Sequence, residues 1–178
     1  KVTWCAGHML QLCSPEDYNP EHKKWSLDHL PIVNVPWKYQ VIDGRGKQLN
    51  IIKSLLDQCS TVVHAGDSDD EGQLLVDEIL EYYRITKPVM RLLINDNNEK
   101  VIKRSIANMK SNKEFYGLYQ SALARSVADQ LYGFNMTRLY TLKANEKGIE
   151  GVFSVGRVQT PILGLVVARD RAIASHTK

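Results

Sequence analysis

Apolar and polar positions alternate along this chain in two registers. Thr61–Ala65 is short, apolar and β-branched, the pattern of a buried strand. After Gly72 the spacing turns helical: Leu74, Leu75, Ile79 and Leu80 share one stripe, with Glu71, Asp77, Glu78 and Glu81 largely off it. Upstream, Gly44 and Gly46 mark a turn, and Leu49, Ile52, Leu55 and Leu56 predict an inward face for a helix over Lys47–Cys59. Downstream, Pro88 opens a predicted strand over Val89–Ile94. Helix, strand, helix, strand in this order predicts an α/β layer with parallel pairing. Val2–Cys5 and Tyr39–Ile42 read as further short strands, and the rest of 14–48 as a long connection pinned by aromatic residues.

Beyond Asn95 strands are expected to stop. Asn97 or Asn98 can cap a helix running to about Lys110. Ser111-Asn112-Lys113-Glu114 has the form of a capping box opening a long helix, with Leu118, Leu123, Val127, Leu131 and Phe134 along its stripe. Gly148–Gly151 breaks the pattern. A last helix follows Thr160-Pro161, with Leu163, Val166 and Val167 expected inward. An α/β part at 1–98 is thus expected to precede an all-helical part at 99–178.

Composition adds bounds. The 178 residues are 43% hydrophobic and 24% charged, as in ordinary globular proteins, and no apolar run approaches the ~20 residues of a membrane span. Cys5, Cys13 and Cys59 lack the C-x-x-C spacing of zinc or redox sites, which predicts reduced thiols in a cytoplasmic protein. The start, without Met and inside a predicted strand, reads as that of a fragment or of a chain that has lost its N-terminus. Residues 1–99 carry 10 Lys and Arg against 15 Asp and Glu; residues 100–178 carry 13 against 5. Balances of −5 and +8 suit a polyanionic partner.

Candidate chemistry concentrates where the strand stops at Gly66 and delivers Asp67, Asp69 and Glu71 at alternate positions. The carboxyl end of a strand is where α/β sheets usually bind ligands. Crowded carboxylates repel, and a hard divalent cation such as Mg²⁺ relieves them. Two other accounts stand beside this one. Acidic residues favour a helix N-terminus with no metal at all. Asp67, Asp69, Glu71, Gly72 and Glu78 also fall on calcium-loop positions, but that loop needs a preceding helix where a strand is predicted.

Ser154-Val155-Gly156-Arg157-Val158-Gln159-Thr160-Pro161 is the second candidate. It combines close backbone approach, a bidentate phosphate binder and a helix N-terminus, although Ser and Thr there can also be simple caps. Together with Gly7-His8-Met9-Leu10, Leu92-Leu93-Ile94-Asn95-Asp96, and Ala122–Arg125 with Ala128-Asp129 and Leu131-Tyr132-Gly133, these blocks resemble type IA DNA topoisomerases, specifically the bacterial topoisomerase III branch. The acidic cluster is similar to that family's D-x-D-x-E-G Toprim signature, and the resemblance extends over essentially the whole chain.

The resemblance implies a Toprim domain at 1–98, a Rossmann-like, mostly parallel sheet lacking its first strand, and the start of the helical gate domain at 99–178. It implies Mg²⁺-dependent cleavage of one strand through a tyrosyl phosphodiester, strand passage and resealing. Asp67, Asp69 and Glu71 would carry Mg²⁺ and help position the scissile phosphate. Ser154, Val155, Gly156, Arg157, Val158 and Gln159 would hold single-stranded DNA, with Arg125 on the long helix contributing. The substrate implied is single-stranded or negatively supercoiled DNA, in the bacterial cytoplasm at the nucleoid.

Three departures qualify that picture. The family's first strand, with its catalytic glutamate, would lie before Lys1. None of the eight tyrosines has the T-Y-x-R surround of the family's nucleophile. Asp70 stands where the family usually shows arginine. The chain alone is therefore expected not to relax DNA. A non-catalytic module binding metal and single-stranded DNA, or a primase-like or nuclease Toprim enzyme, remain the rival readings. Among single residues, Arg125, Arg138 and Lys143 are candidate phosphate contacts. His8 could touch DNA or the metal shell, or be a buried, hydrogen-bonded histidine. Trp4, Trp25 and Trp37 are expected to pack or pin loops rather than stack on bases, and Tyr132 and Tyr140 to pack.

Overall fold

The structure, a computed structural model, describes residues 1–176. Its chain order is β1 (Leu10–Leu12), α1 (Pro15–Tyr18), β2 (Tyr39–Val41), α2 (Gly46–Gln58), β3 (Val62–His64), α3 (Asp70–Tyr82), β4 (Val89–Arg91), α4 (Glu99–Ala107), β5 (Lys110–Ser111), α5 (Tyr116–Asn145) and α6 (Gln159–Ala174). The protein is an α/β fold followed by a helical segment. No described helix is long and apolar enough to cross a membrane.

Two compact units divide the chain: 1–12 with 38–125, and 13–37 with 126 onward. In the first, β3 pairs parallel with β4, His64 opposite Arg91, and β4 pairs antiparallel with β5. A separate antiparallel pair joins β1 to β2. Helix α2 turns Leu49, Ile52 and Leu56 inward, and α3 turns Ile79 and Leu80 inward, onto Met9 and Leu10. Each side chain buried to that degree contributes roughly 1.5–3 kcal/mol. This packing fixes α3, and so the loop that leads into it.

The second unit is held by side chains gripping backbone. Asn135 accepts from the Ile32 N–H at 2.7 Å and donates to the Ile32 carbonyl at 2.8 Å, as a neighbouring strand would. Gln130 donates to the Cys13 carbonyl. The aromatic-rich segment condenses into α1 and two single turns of 3₁₀ helix, Pro20–Lys23 and Leu27–His29.

Several predicted elements are corrected. Val2–Cys5 is not a strand; Val2 and Trp4 are exposed, and among the described residues no strand pairs with them. The strand from Val89 ends at Arg91, and a further strand, β5, follows Asn95. Asn98 caps α4 as expected, its side chain accepting from the Lys100 N–H. Ser111 makes no capping bond; a 3₁₀ turn over Asn112–Phe115 intervenes before α5. Leu118 on α5 and Leu163, Val166 and Val167 on α6 are exposed rather than inward. Periodicity marks an apolar stripe, but only packing decides whether something covers it.

Candidate functional site

Strand β3 delivers a turn pinned at several points before α3 begins. His64, fully buried, accepts from the Gly66 N–H through Nδ1 at 3.2 Å and meets the Gln73 carbonyl through Nε2 at 3.2 Å. These partners assign the proton to Nε2. Burial, with the Arg91 charge beside it, pushes the pKa of His64 below its ordinary value, so the ring is neutral. Asp69 caps α3, its Oδ1 accepting from the Gly72 N–H at 2.7 Å. The Ser68 hydroxyl donates to the Asn95 side-chain oxygen.

Glycine is required at both ends of this turn. A Cβ at Gly72 would lie 2.6 Å from the backbone N and O of Asp67, and one at Gly66 would run into the Gly72 carbonyl. The start of α3 therefore presses directly on the acidic turn.

Beneath lies a polar layer that the sequence reading did not single out. Arg91, 1% exposed, donates from Nε to Gln73 Oε1 (2.7 Å), from Nη1 to the Gly66 carbonyl (2.7 Å), and from Nη2 to the Asp67 carbonyl (2.5 Å). Gln73, fully buried, donates in turn to Asp77 and Asn112, which are themselves bonded. A charged residue inside the apolar run Val89–Ile94 was the available signal, since arginine is rarely buried without a structural partner.

The carboxylates part company. Glu71 Oε1 lies 2.7 Å from His8 Nε2, while His8 Nδ1 lies 3.0 Å from Glu78 Oε1. The Glu78 hydrogen bond, joined by that of Glu71 and opposed by burial, pushes the pKa of His8 up to about 9. Burial raises the pKa of Glu78 in spite of His8. Asp70 pairs with Arg125, whose hydrogen bond lowers its pKa. Among the described residues no three His, Cys, Asp or Glu side chains gather as a metal cage. Asp67 and Asp69 instead offer hard oxygen donors at the strand end, and Asp69 commits only Oδ1 to its cap. That donor set fits an open Mg²⁺ site completed by water and phosphate, and does not make a closed calcium loop. The element before the turn is a strand, which removes the calcium-loop alternative.

In the second unit, threonines on α5 align the other candidate segment. Thr137 Oγ1 accepts from the Val155 N–H at 2.9 Å, and Thr141 Oγ1 from the Phe153 N–H at 3.0 Å. Gly156 N–H donates to Thr160 Oγ1, closing the loop as α6 opens at Gln159. Ser154, Arg157, Val158 and Gln159 are exposed, and Val155 and Gly156 partly so. Arg157 forks onto Asp129, which raises its pKa further.

Other candidates sort by burial. Arg138 is 4% exposed, donates to the His22 carbonyl, faces Glu16 and stacks on Trp25, so the expected phosphate contact there is corrected to a structural clamp. Lys143 pairs with Glu146. Trp25 pins its loop as expected, but Trp4 and Trp37 are exposed. Tyr132 and Tyr140 are exposed as well, against the packing expected of them. All three cysteines are free thiols.

Residues 1–105 match the Toprim domain family, and residues 113–178 match a DNA topoisomerase family. The chain belongs to the Toprim domain family. Among curated proteins it is similar to those named DNA topoisomerase 3. It is 48% identical to that of Vibrio cholerae over 176 residues, 97% of this chain and 27% of the relative. It is 49% identical to that of Salmonella typhimurium, with the same coverage. To that of Bacillus subtilis it is 40% identical over 99% of this chain and 24% of the relative. The chain thus spans about a quarter of the length of these relatives.

Proposed function

We propose that this chain is the Toprim domain and the first helices of the gate domain of a topoisomerase that cleaves, passes and reseals single DNA strands with Mg²⁺. The observation that carries the proposal is the placement of Asp67 and Asp69 at the carboxyl end of β3, on a turn fixed by His64, Arg91 and two glycines. Mg²⁺ bound there would supply positive charge to the phosphate undergoing transfer. Asp67 and Asp69 would hold it, with Glu71 nearby. Ser154–Gln159 would lie along the single strand, mainly through backbone, with Arg157 and Arg125 meeting phosphates. The nucleophilic tyrosine and a further glutamate are assigned to parts of the protein outside these 178 residues, and the chain alone is expected neither to nick nor to relax DNA. Likeness to DNA topoisomerase 3 proteins supports this reading, as does the basic balance of residues 100–178.

Calorimetric titration of Mg²⁺ into wild type, Asp67→Asn and Asp69→Asn tests the assignment. Binding should be weak in wild type and lost in both variants; equal binding in all three would overturn it.

A further inference from the structure

We propose that Arg91 is the positioning residue of the acidic turn: its guanidinium, oriented by Gln73, fixes the backbone from which Asp67 and Asp69 present their carboxylates. The inference rests on the Mg²⁺ reading above and assigns a second layer to that site.

Three observations carry it. First, among the described residues Arg91 donates to uncharged oxygens. The side chain reaches Gln73 Oε1 through Nε, the carbonyls of Gly66, Leu92 and, at 3.4 Å, His64 through Nη1, and the carbonyl of Asp67 through Nη2. A buried arginine is ordinarily matched to a carboxylate. Here Asp77, Asp67 and Asp69 lie close enough to act on it electrostatically, yet the fork is turned to main-chain oxygens.

Second, those oxygens are the turn itself. His64, Gly66 and Asp67 span the end of β3 and the first acidic residue, and Arg91 sits opposite His64 in the parallel register. One planar group therefore ties the β4 backbone to three points between the end of β3 and the first acidic residue. An ammonium cannot do this, because lysine concentrates its donors at one atom.

Third, the guanidinium is itself held. Gln73 accepts from Nε and is locked by Asp77 and Asn112, and the Phe115 ring lies 6.0 Å from the guanidinium carbon. Arg91 touches neither carboxylate directly. It acts through their backbone, where small displacements decide whether oxygen ligands converge.

The test is Mg²⁺ titration of the full chain as wild type, Asp67→Asn, Arg91→Lys and Gln73→Met, well below each melting temperature. Hydrogen exchange at residues 65–69 is followed in parallel. Arg91→Lys keeps the charge and loses the fork, and should weaken Mg²⁺ binding by about tenfold or more, the usual effect of removing an outer-layer partner. Exchange at 65–69 should rise while that of α2 stays unchanged, and raised Mg²⁺ should restore occupancy. Gln73→Met should move both readouts in the same direction and serves if Arg91→Lys does not fold. Wild-type affinity in the folded variants, with only the melting temperature lowered, would overturn the positioning role. Unchanged exchange at 65–69 would overturn it too. If wild type and Asp67→Asn bind Mg²⁺ alike, the metal assignment itself fails and the inference falls with it.

Discussion

Arg157 lies edge-on to Asp129, with Nε 2.5 Å from Oδ1 and Nη2 3.1 Å from Oδ2. The carboxylate occupies the two donors a DNA phosphate would use. Since both groups are exposed, the pair itself adds little stability. A phosphate can therefore displace Asp129 at modest cost. Arg157→Ala should weaken binding of a single-stranded oligonucleotide at low salt. Asp129→Asn should strengthen it, and counterion release should make wild-type affinity fall steeply with salt. Fluorescence anisotropy over a salt series measures all three. Equal affinity of wild type and Arg157→Ala would remove Arg157 from the interface.

The His8 bridge should give the fold a pH dependence in metal-free buffer. Its pKa is raised from 6.5 to about 9 in the folded chain, so the protonated ring stabilises the fold in full below pH 6.5. That contribution fades as pH climbs from 6.5 through 9, where the folded ring loses its proton. With 35% of the side chain exposed, screening reduces the effect to roughly 1–2 kcal/mol. Urea denaturation of wild type and His8→Gln at pH 6 and pH 9.5 gives the difference. The gap between the two proteins should shrink at the higher pH, and a constant gap would show that the ring does not carry the charge.

Much of this could be read from residue order, for local reasons. The β-branched run into Gly66 and the stripe Leu74, Ile79, Leu80 encode β3 and α3 through their own periodicity. The layer beneath could not be read that way. Arg91 and Gln73 lie 18 positions apart, and their partnership exists only once β4 lies beside β3. The same holds for His8, whose partners Glu71 and Glu78 are 63 and 70 residues away. Arg138 shows the converse. A basic residue on a basic helix suggests phosphate, but His22 and Trp25 from a distant segment enclose it. The exposed apolar residues of α6 mark the limit of periodicity: the stripe is encoded, its covering is not.

Gly72 gives a purely steric prediction. The Asp67 backbone lies 2.6 Å from where a Cβ would stand, and backbone cannot swing aside as a long side chain can. Gly72→Ala should cost about 1–3 kcal/mol, the range for overpacking, despite alanine's better helix propensity. Gly117→Ala, whose Cβ would meet nothing within 4 Å beyond its own helix backbone and chain neighbours, is the control and should be neutral or slightly stabilising. Thermal melts of the two variants should therefore move in opposite directions or differ by several degrees. Matching melts would mean that the turn does not press on α3.

The parting of the carboxylates predicts unequal roles in the proposed Mg²⁺ site. Glu71 has one oxygen committed to His8, whereas Asp67 and Asp69 share the strand end. Glu71→Gln should then weaken Mg²⁺ binding less than Asp67→Asn does, since an amide oxygen can still face His8 and the other two carboxylates remain. Asp69 should show two separable effects. Asp69→Asn keeps a capping oxygen for the Gly72 N–H and should leave stability nearly unchanged while binding falls. Asp69→Ala loses the cap as well and should cost a further 0.5–2 kcal/mol or so of stability. Titration calorimetry and urea denaturation on the same four variants separate the ligand from the cap. If Glu71→Gln abolishes binding while Asp67→Asn leaves it intact, the metal sits on the His8 side of the turn and the assignment of Asp67 is wrong.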